Sequence, residues 1–476
     1  MKKTISTLLL LLALALPAAP TMQAQCVQTW DAPQGANLND DFSVAIVQDG
    51  RTYHSPCYLV KVDSVGNARH NVLASSLTQF SFEGDIEVRL HYNRAPVTSV
   101  RVRPLSAGIV PRVEGNDIVF SLHRPANLSV EVNGDIWHNL QLFANEPETE
   151  PQSPHRRPQQ RIEYGPGIHH LPGDSLLVPS NTSVHLAGGA VIHGRFIVAD
   201  AENVSIWGRG IIDCNSREGV SIRRSNGVAV DGIVTTQVPV GESRNVSITN
   251  VKVITSYGWG DGLNVFASSD VSYDRCFART SDDCHTVYAT RKGYTGSARN
   301  IVMRRSVLWA DVAHPIFIGL HGNVERPDTI EHLRYYDLDI LEQREPQIDY
   351  QGCIAIGAGD LNLVRDVLFD SIRVEEIHCG QLFNMRTTWN QKYCRAPGRA
   401  IEDVTLRNVS YTGAPASLSI FSGYSPDHPV RRIRFENLRI NGEHIYDAMP
   451  QRPRWYKTSD FANMYIGENV HDVTFE

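Results

Sequence analysis

Three carboxylates fall in two polar, glycine-rich clusters: Asp261 within Tyr257-Gly258-Trp259-Gly260-Asp261-Gly262, and the pair Asp282-Asp283 within Ser281-Asp282-Asp283-Cys284-His285. The clusters lie 21 residues apart, counted from 261 to 282. Like charges brought to one site cannot all stay ionised without cost, so at least one carboxyl must hold its proton more tightly than usual. One protonated and one ionised carboxyl is what acid–base cleavage of a glycosidic bond needs. Taken singly, Asp-Gly and Asp-Asp are ordinary turn residues. Taken together, and followed by His314, they read as one site. The clusters meet only if the chain winds back on itself once between them.

A repeat supplies that winding. Its unit is apolar, any, apolar, any, any, apolar, any, apolar, usually led by Asn or Asp. Units begin at Val204, Val228, Val246, Val271, Ile301, Leu333, Val367, Val404, Ile433 and Val473. Alternation with a period of two makes each unit a strand. The two-residue break inside it, as at Thr249-Asn250 and Arg407-Asn408, marks a corner. Strand chemistry repeated at a loose period signals a solenoid. A right-handed parallel β-helix, with coils about 4.8 Å apart and variable loops at its rim, satisfies both features. Asp261 lies 15 residues after Val246, and Asp282 lies 11 after Val271, so both clusters should leave their coils on the same side.

These residues resemble the clan of polygalacturonases and dextranases, glycoside hydrolase families 28 and 49. In family 28 an Asn-Thr-Asp-Gly motif is matched at Asp261-Gly262 only; the Asp-Asp-Cys run is matched by Asp282-Asp283-Cys284. The Gly-His-Gly motif and the Ile-Gly after it are matched in register by His314, Ile318-Gly319 and Gly322. The resemblance covers about residues 160 to 476. It implies hydrolysis with inversion, with Asp282 as general acid, Asp261 and Asp283 holding the attacking water, and His314 tuning the acid or the sugar contact. Inverting carboxyls lie roughly 6.5–9.5 Å apart and retaining ones roughly 5–5.5 Å. A one-coil step falls nearer the smaller separation, so the resemblance and the spacing pull in different directions. The Arg-Ile-Lys motif that holds a galacturonate carboxylate is absent from the stretch Gln343 to Asp349, which leaves a neutral glycan open. Candidate sugar contacts are Trp259, His285, His321, Tyr350 and Arg386, with Tyr288, Trp309 and Trp389 as further aromatic platforms. Clustered carboxylates also bind calcium. That would suit a lyase using Arg279, Arg291 or Lys292, and a non-catalytic glycan-binding solenoid is the third alternative. The favoured reading requires no metal and no cofactor.

The rest of the chain frames this site. Residues 1–24 read as a signal peptide, with Lys2-Lys3, an apolar stretch Leu8 to Leu16 and a cleavage point at Ala24-Gln25. That predicts an exported protein, periplasmic or extracellular, with lipid anchoring at Cys26 the lesser alternative. Residues 25–145 show short strands at intervals near ten residues, the pattern of a β-sandwich. Residues 146–163 are proline-rich and polar and read as a linker, leaving 164–476 for the β-helix. The expected fold is therefore all-β, a small sandwich followed by a parallel β-helix. No later apolar run reaches the ~18 residues of a membrane span. The formal net charge of -7, with no basic run, argues against a nucleic-acid partner. The expected partner is a polysaccharide or oligosaccharide. All eight cysteines follow the cleavage point, and their spacing fixes neither pairing nor oligomeric state.

Overall fold

The computed structural model describes residues 27–476 except 67–68, 152–157, 214–217 and 351. The expected signal peptide and Cys26 lie outside the described residues. The first layer pair is a sandwich of one six-stranded and one five-stranded sheet. Their inner faces share a core of Phe42, Val44, Ile46, Val88 and Leu90 from one sheet and Phe80, Phe82, Val130, Leu140 and Leu142 from the other. The strand Phe42–Gln48 shows how the pattern does this, with every second side chain buried.

From Gln160 to Phe475 the chain forms a single 30-stranded sheet that pairs coil to coil. Its register matches the repeat. Val204 pairs with Val228, then Val246, Val271, Ile301, Leu333, Val367, Val404, Ile433 and Val473, each in parallel with the next. The column buries β-branched and leucine side chains inside the coil, where each stacks on its like. The breaks in the units are corners with left-handed backbone: Asn250 (φ 52°), Arg275 (53°), Arg305 (50°), Asp337 (54°), Ser371 (62°) and Asn408 (51°). Asn and Asp tolerate this region best, which explains their recurrence beside the apolar runs. This is the parallel β-helix the sequence predicts, preceded by the expected sandwich. Among the described residues there is one short α-helix, Thr458–Phe461. Among the described residues no helix is long and apolar enough to cross a membrane.

The segment read as a linker is not detached from the coils. Gln160–Tyr164 is already a strand, paired with Thr182–Leu186. Glu150 accepts hydrogen bonds from Arg161 at 2.8 Å and Ser183 at 3.0 Å, and Glu148 pairs with His185. Two of the polar residues of this segment, Glu148 and Glu150, are thus ion and hydrogen-bond partners of the first coils. The six described cysteines, Cys57, Cys276, Cys284, Cys353, Cys379 and Cys394, form no disulfide.

The sandwich docks on the strands that lead into the loops carrying Asp261 and Asp282-Asp283. Phe143 meets Phe277 at 5.1 Å between ring centroids. Trp309, proposed above as a sugar platform, is fully buried at this interface instead. Arg279 lies over its ring at 4.1 Å and Arg103 at 5.1 Å. Arg279 is itself paired with Asp311 at 2.8 Å, and both are fully buried. It is therefore committed to the interface and unavailable as a base. The outward face of this strand is covered by another domain, so its aromatic residue reaches no cleft.

Candidate active site

Strand register sets the acids side by side. Leu263 pairs with His285, and His285 with Ile316. Asp261, Asp283 and His314 each stand two residues before one of these, so they form a column across three successive coils. Backbone hydrogen bonds continue the ladder at their level: Gly262 donates to Asp283 O at 2.8 Å, and Cys284 to His314 O at 2.8 Å. Similar offsets in the sequence had matched Asp261 with Asp282. The chain takes 17 residues from Val246 to Leu263 but 14 from Val271 to His285, because the Tyr257–Gly260 loop is longer. The coil partner of Asp261 is therefore Asp283, and Asp282 stands beside the column.

The three carboxyls have different surroundings. Asp283 is buried and fully engaged: Oδ1 accepts from His314 N at 3.2 Å and from His314 Nδ1 at 2.6 Å, and Oδ2 accepts from Tyr288 Oη at 3.2 Å. Asp261 is buried too, and its Oδ2 accepts from Asn264 Nδ2 at 2.6 Å. Asn264 is oriented in turn by Thr286 Oγ1, which donates to its Oδ1 at 2.8 Å. Asp282 is only half-buried. Burial first, and then the charges of Asp283 and Asp261, push its pKa well above the carboxylate range. Burial and Asp283 raise Asp261 to about 6, against the opposing pull of Lys292, Asn264 and Arg291. The site thus holds a proton-retaining carboxyl at its surface beside carboxyls fixed by hydrogen bonds below.

His314 is fully buried with both ring nitrogens used, Nδ1 on Asp283 and Nε2 on the Tyr350 carbonyl. Burial opposes its protonation most strongly of any single cause, but Asp283, Glu345 and the Tyr350 carbonyl together outweigh it and raise its pKa. It is shut off from the surface and touches Asp283 directly. His285 is a correction. Its column neighbours Leu263 and Ile316 point into the coil, and so does its ring, which is fully buried. Nδ1 donates to Leu263 O at 2.7 Å, and Tyr273 and Tyr335 flank it at 5.1 and 5.7 Å. Burial lowers its pKa to about 4, so it is a neutral core residue and not a substrate contact.

The remaining candidates line the rim. Trp259 is 69% exposed, in a left-handed conformation (φ 58°) that turns it out beside Asp261. His321 is half-buried and meets the Tyr288 ring at 5.4 Å. Burial, with Arg291 and Lys292, lowers its pKa to about 3, so it offers a neutral imidazole. Tyr350 stacks on Tyr393 at 5.5 Å, and Arg386 Nη1 donates to Asp349 O at 2.9 Å. Trp389, 43% exposed, lies further along beside Tyr424. Asn264 was missed as a site residue, and the hydroxyl of Tyr288 was missed as a partner of Asp283. Both occupy outward positions of strands whose alternate residues Leu263, Val265, His285 and Val287 point inward, and that alternation is the signal that would have found them.

No family model matches the sequence, and no curated protein matches it. Among solved structures the chain is similar to Dex49A from Penicillium minioluteum, at 12% identity and a TM-score of 0.54 over 94% of this chain and 96% of that one. The likeness is one of fold. The family 28 exopolygalacturonase of Yersinia enterocolitica aligns at 11% identity and a TM-score of 0.48, over 81% of this chain and 96% of that one.

The raised carboxyl at Asp261 carries a pH signature for stability. Its pKa is about 6 in the fold against an ordinary 3.8. Below the ordinary value both folded and unfolded chains hold the proton and nothing is lost. As pH rises through the folded pKa, the unfolded chain ionises more freely and stability falls. Asp261→Asn should therefore match the parent in acid and exceed it above the folded pKa, by on the order of 3 kcal/mol at the limit. Urea unfolding across that window checks it; a gap that does not widen with pH contradicts the assignment.

Proposed function

We propose that this chain is an exported glycoside hydrolase that cleaves a polysaccharide with inversion. The observation that carries the reading is the arrangement just described: a half-buried Asp282 that keeps its proton, beside the column Asp261–Asp283. Asp282 gives its proton to the glycosidic oxygen as the bond from that oxygen to the anomeric carbon breaks. Asp261 and Asp283 hold a water on the opposite face, and one of them takes its proton as the water's oxygen bonds to that carbon. His314, with Tyr288, fixes Asp283 in the pose this needs and is a positioning residue. Trp259 supplies an exposed ring beside Asp261 for the apolar face of a sugar.

The stretch that would hold a galacturonate carboxylate in family 28 offers the cleft no cation. Arg344 lies over Trp137 of the sandwich at 4.9 Å and within 3.7 Å of Glu342. The test therefore spans both classes. Purified protein is incubated with pectic fragments and with α-glucans, and the first-formed product anomer is followed by NMR. New reducing ends of inverted configuration are expected from one substrate. A retained anomer rejects the inverting mechanism, and unsaturated products reject hydrolysis.

A further inference from the structure

Between the sandwich and the coils runs a cavity of ≈ 360 Å³, within the roughly 300–1,000 Å³ of small-ligand sites. One wall is sandwich, the loop Gly35–Asn37 and the strand segment Tyr58–Lys61. The other is β-helix, where successive coils present His193, Asp213, Thr236 and Ile254 in one column. Three coil steps make that wall about 14 Å long. The groove closes on Tyr257. Tyr257 N donates to Ser281 Oγ at 3.0 Å, and Ser281 Oγ donates back to Tyr257 O at 2.7 Å. Ser281 is the residue before Asp282, so the end of the groove is tied to the acid's own loop. The sandwich also overhangs that loop: His70, held by Asp63, has its Nε2 3.7 Å from where a Cβ on Gly258 would stand.

Two details of the wall point to a ligand. The hydroxyl of Thr236, on the groove-facing column, is buried and has no hydrogen-bond partner. A buried hydroxyl left unpaired costs about 1–3 kcal/mol, which a bound hydroxylated ligand would relieve. Around it the lining alternates apolar faces (Val60, Val234, Ile254) with polar ends (Lys61, His193, Asp213). That mixture suits a pyranose, which has an apolar face and a hydroxylated edge.

We propose that this interdomain groove is a distal subsite for further sugar units of the chain whose bond lies at Asp282, so the sandwich is part of the substrate-binding surface. The ligand class rests on the hydrolase reading above. The groove makes affinity depend on chain length, and a short oligosaccharide that reaches only the acids forgoes the gain.

The test uses the full chain carrying Asp282→Asn, which slows turnover enough for binding to be read, and measures binding by calorimetry. The probes are galacturonan oligomers and isomalto-oligomers, each from disaccharide to octasaccharide. In one series affinity should climb at least about tenfold beyond the trisaccharide. Thr236→Trp, which fills the groove from the coil side, and Asn37→Trp, on the exposed sandwich loop, should each abolish that climb. Should Thr236→Trp fail to fold, Asn37→Trp alone decides. Affinity that is flat beyond the trisaccharide or absent in both series overturns the proposal, as does a climb that survives the substitutions. Reducing-end release by the unmutated chain reads the hydrolase assignment separately: length-dependent binding without release rejects hydrolysis and keeps the groove, while release without a length effect does the reverse.

Discussion

Asp282→Asn should lower turnover roughly 10²–10⁴-fold, the range removed with a general acid, and leave the fold intact or slightly more stable. The stability half of this expectation follows from the carboxyl's surroundings. Burial and the neighbouring Asp283 and Asp261 already favour the neutral form of Asp282. An amide has nearly the shape of a protonated carboxyl, and it removes a charge the site resists. Its Oδ1 can still accept from Asp283 N, which lies 3.0 Å from Asp282 Oδ1 in the parent. What the amide cannot do is release a proton to a leaving oxygen. Steady-state kinetics on the substrate that the anomer screen identifies, with thermal unfolding of the same preparation, gives both readings. Turnover within a few-fold of the parent would remove Asp282 from the mechanism, and a collapse of the melting point would make it structural.

Arg103→Met carries the largest expected effect on stability. Arg103 is fully buried on the sandwich, yet only one of its acidic partners belongs there. Nη1 meets Glu131 at 3.0 Å and Glu342 at 3.2 Å, and Nε meets Glu375 at 2.7 Å. Nη2 donates to the Leu341 carbonyl. Removing the guanidinium leaves three buried carboxylates facing one another, and stripping one side of a buried ionic cluster costs about 3–5 kcal/mol. The loss should depend on pH in a fixed direction. Burial raises the pKa of both Glu342 and Glu375 even with Arg103 present, and without it the shift grows. Protonation relieves the repulsion, so the deficit shrinks in acid and widens toward alkaline pH. Denaturant unfolding at both ends of that range tests this; a midpoint equal to the parent's would show that the cluster contributes no net stability.

The solenoid was legible because its determinants are local and repeat. An inward residue every second position and an Asn or Asp at the corner recur until register follows from alignment of the units, as the column from Val204 to Val473 shows. The Asp261–Asp283–His314 column is legible for the same reason, though the longer Tyr257–Gly260 loop shifted the partner of Asp261 by one residue. His285 was misread because an imidazole near acids suggests chemistry, whereas its place in the alternation, between Leu263 and Ile316, makes it core. Trp309 was misread for a different cause. Its side chain does point outward, but nothing in its own neighbourhood says that a sandwich covers that face. The Arg103 cluster was invisible altogether, since Glu375 lies 272 residues further along. Contacts of that range leave no periodic trace.

The sandwich touches the solenoid at many heights. Gln79 donates to the Arg209 carbonyl at 2.6 Å, Asn127 to that of Arg275 at 3.0 Å, and Arg279 to Asn139 at 2.9 Å, with Arg103 reaching Glu375 beyond them. A coiled chain of this kind ordinarily grows or shrinks by duplicating or deleting whole turns at little penalty. Here a turn gained or lost between residues 209 and 375 would slide every later anchor off its mate by one step. The flanking domain therefore works as a gauge that freezes the turn count across the acids, and length variation among descendants of this chain belongs beyond Glu375, where the gauge no longer reaches.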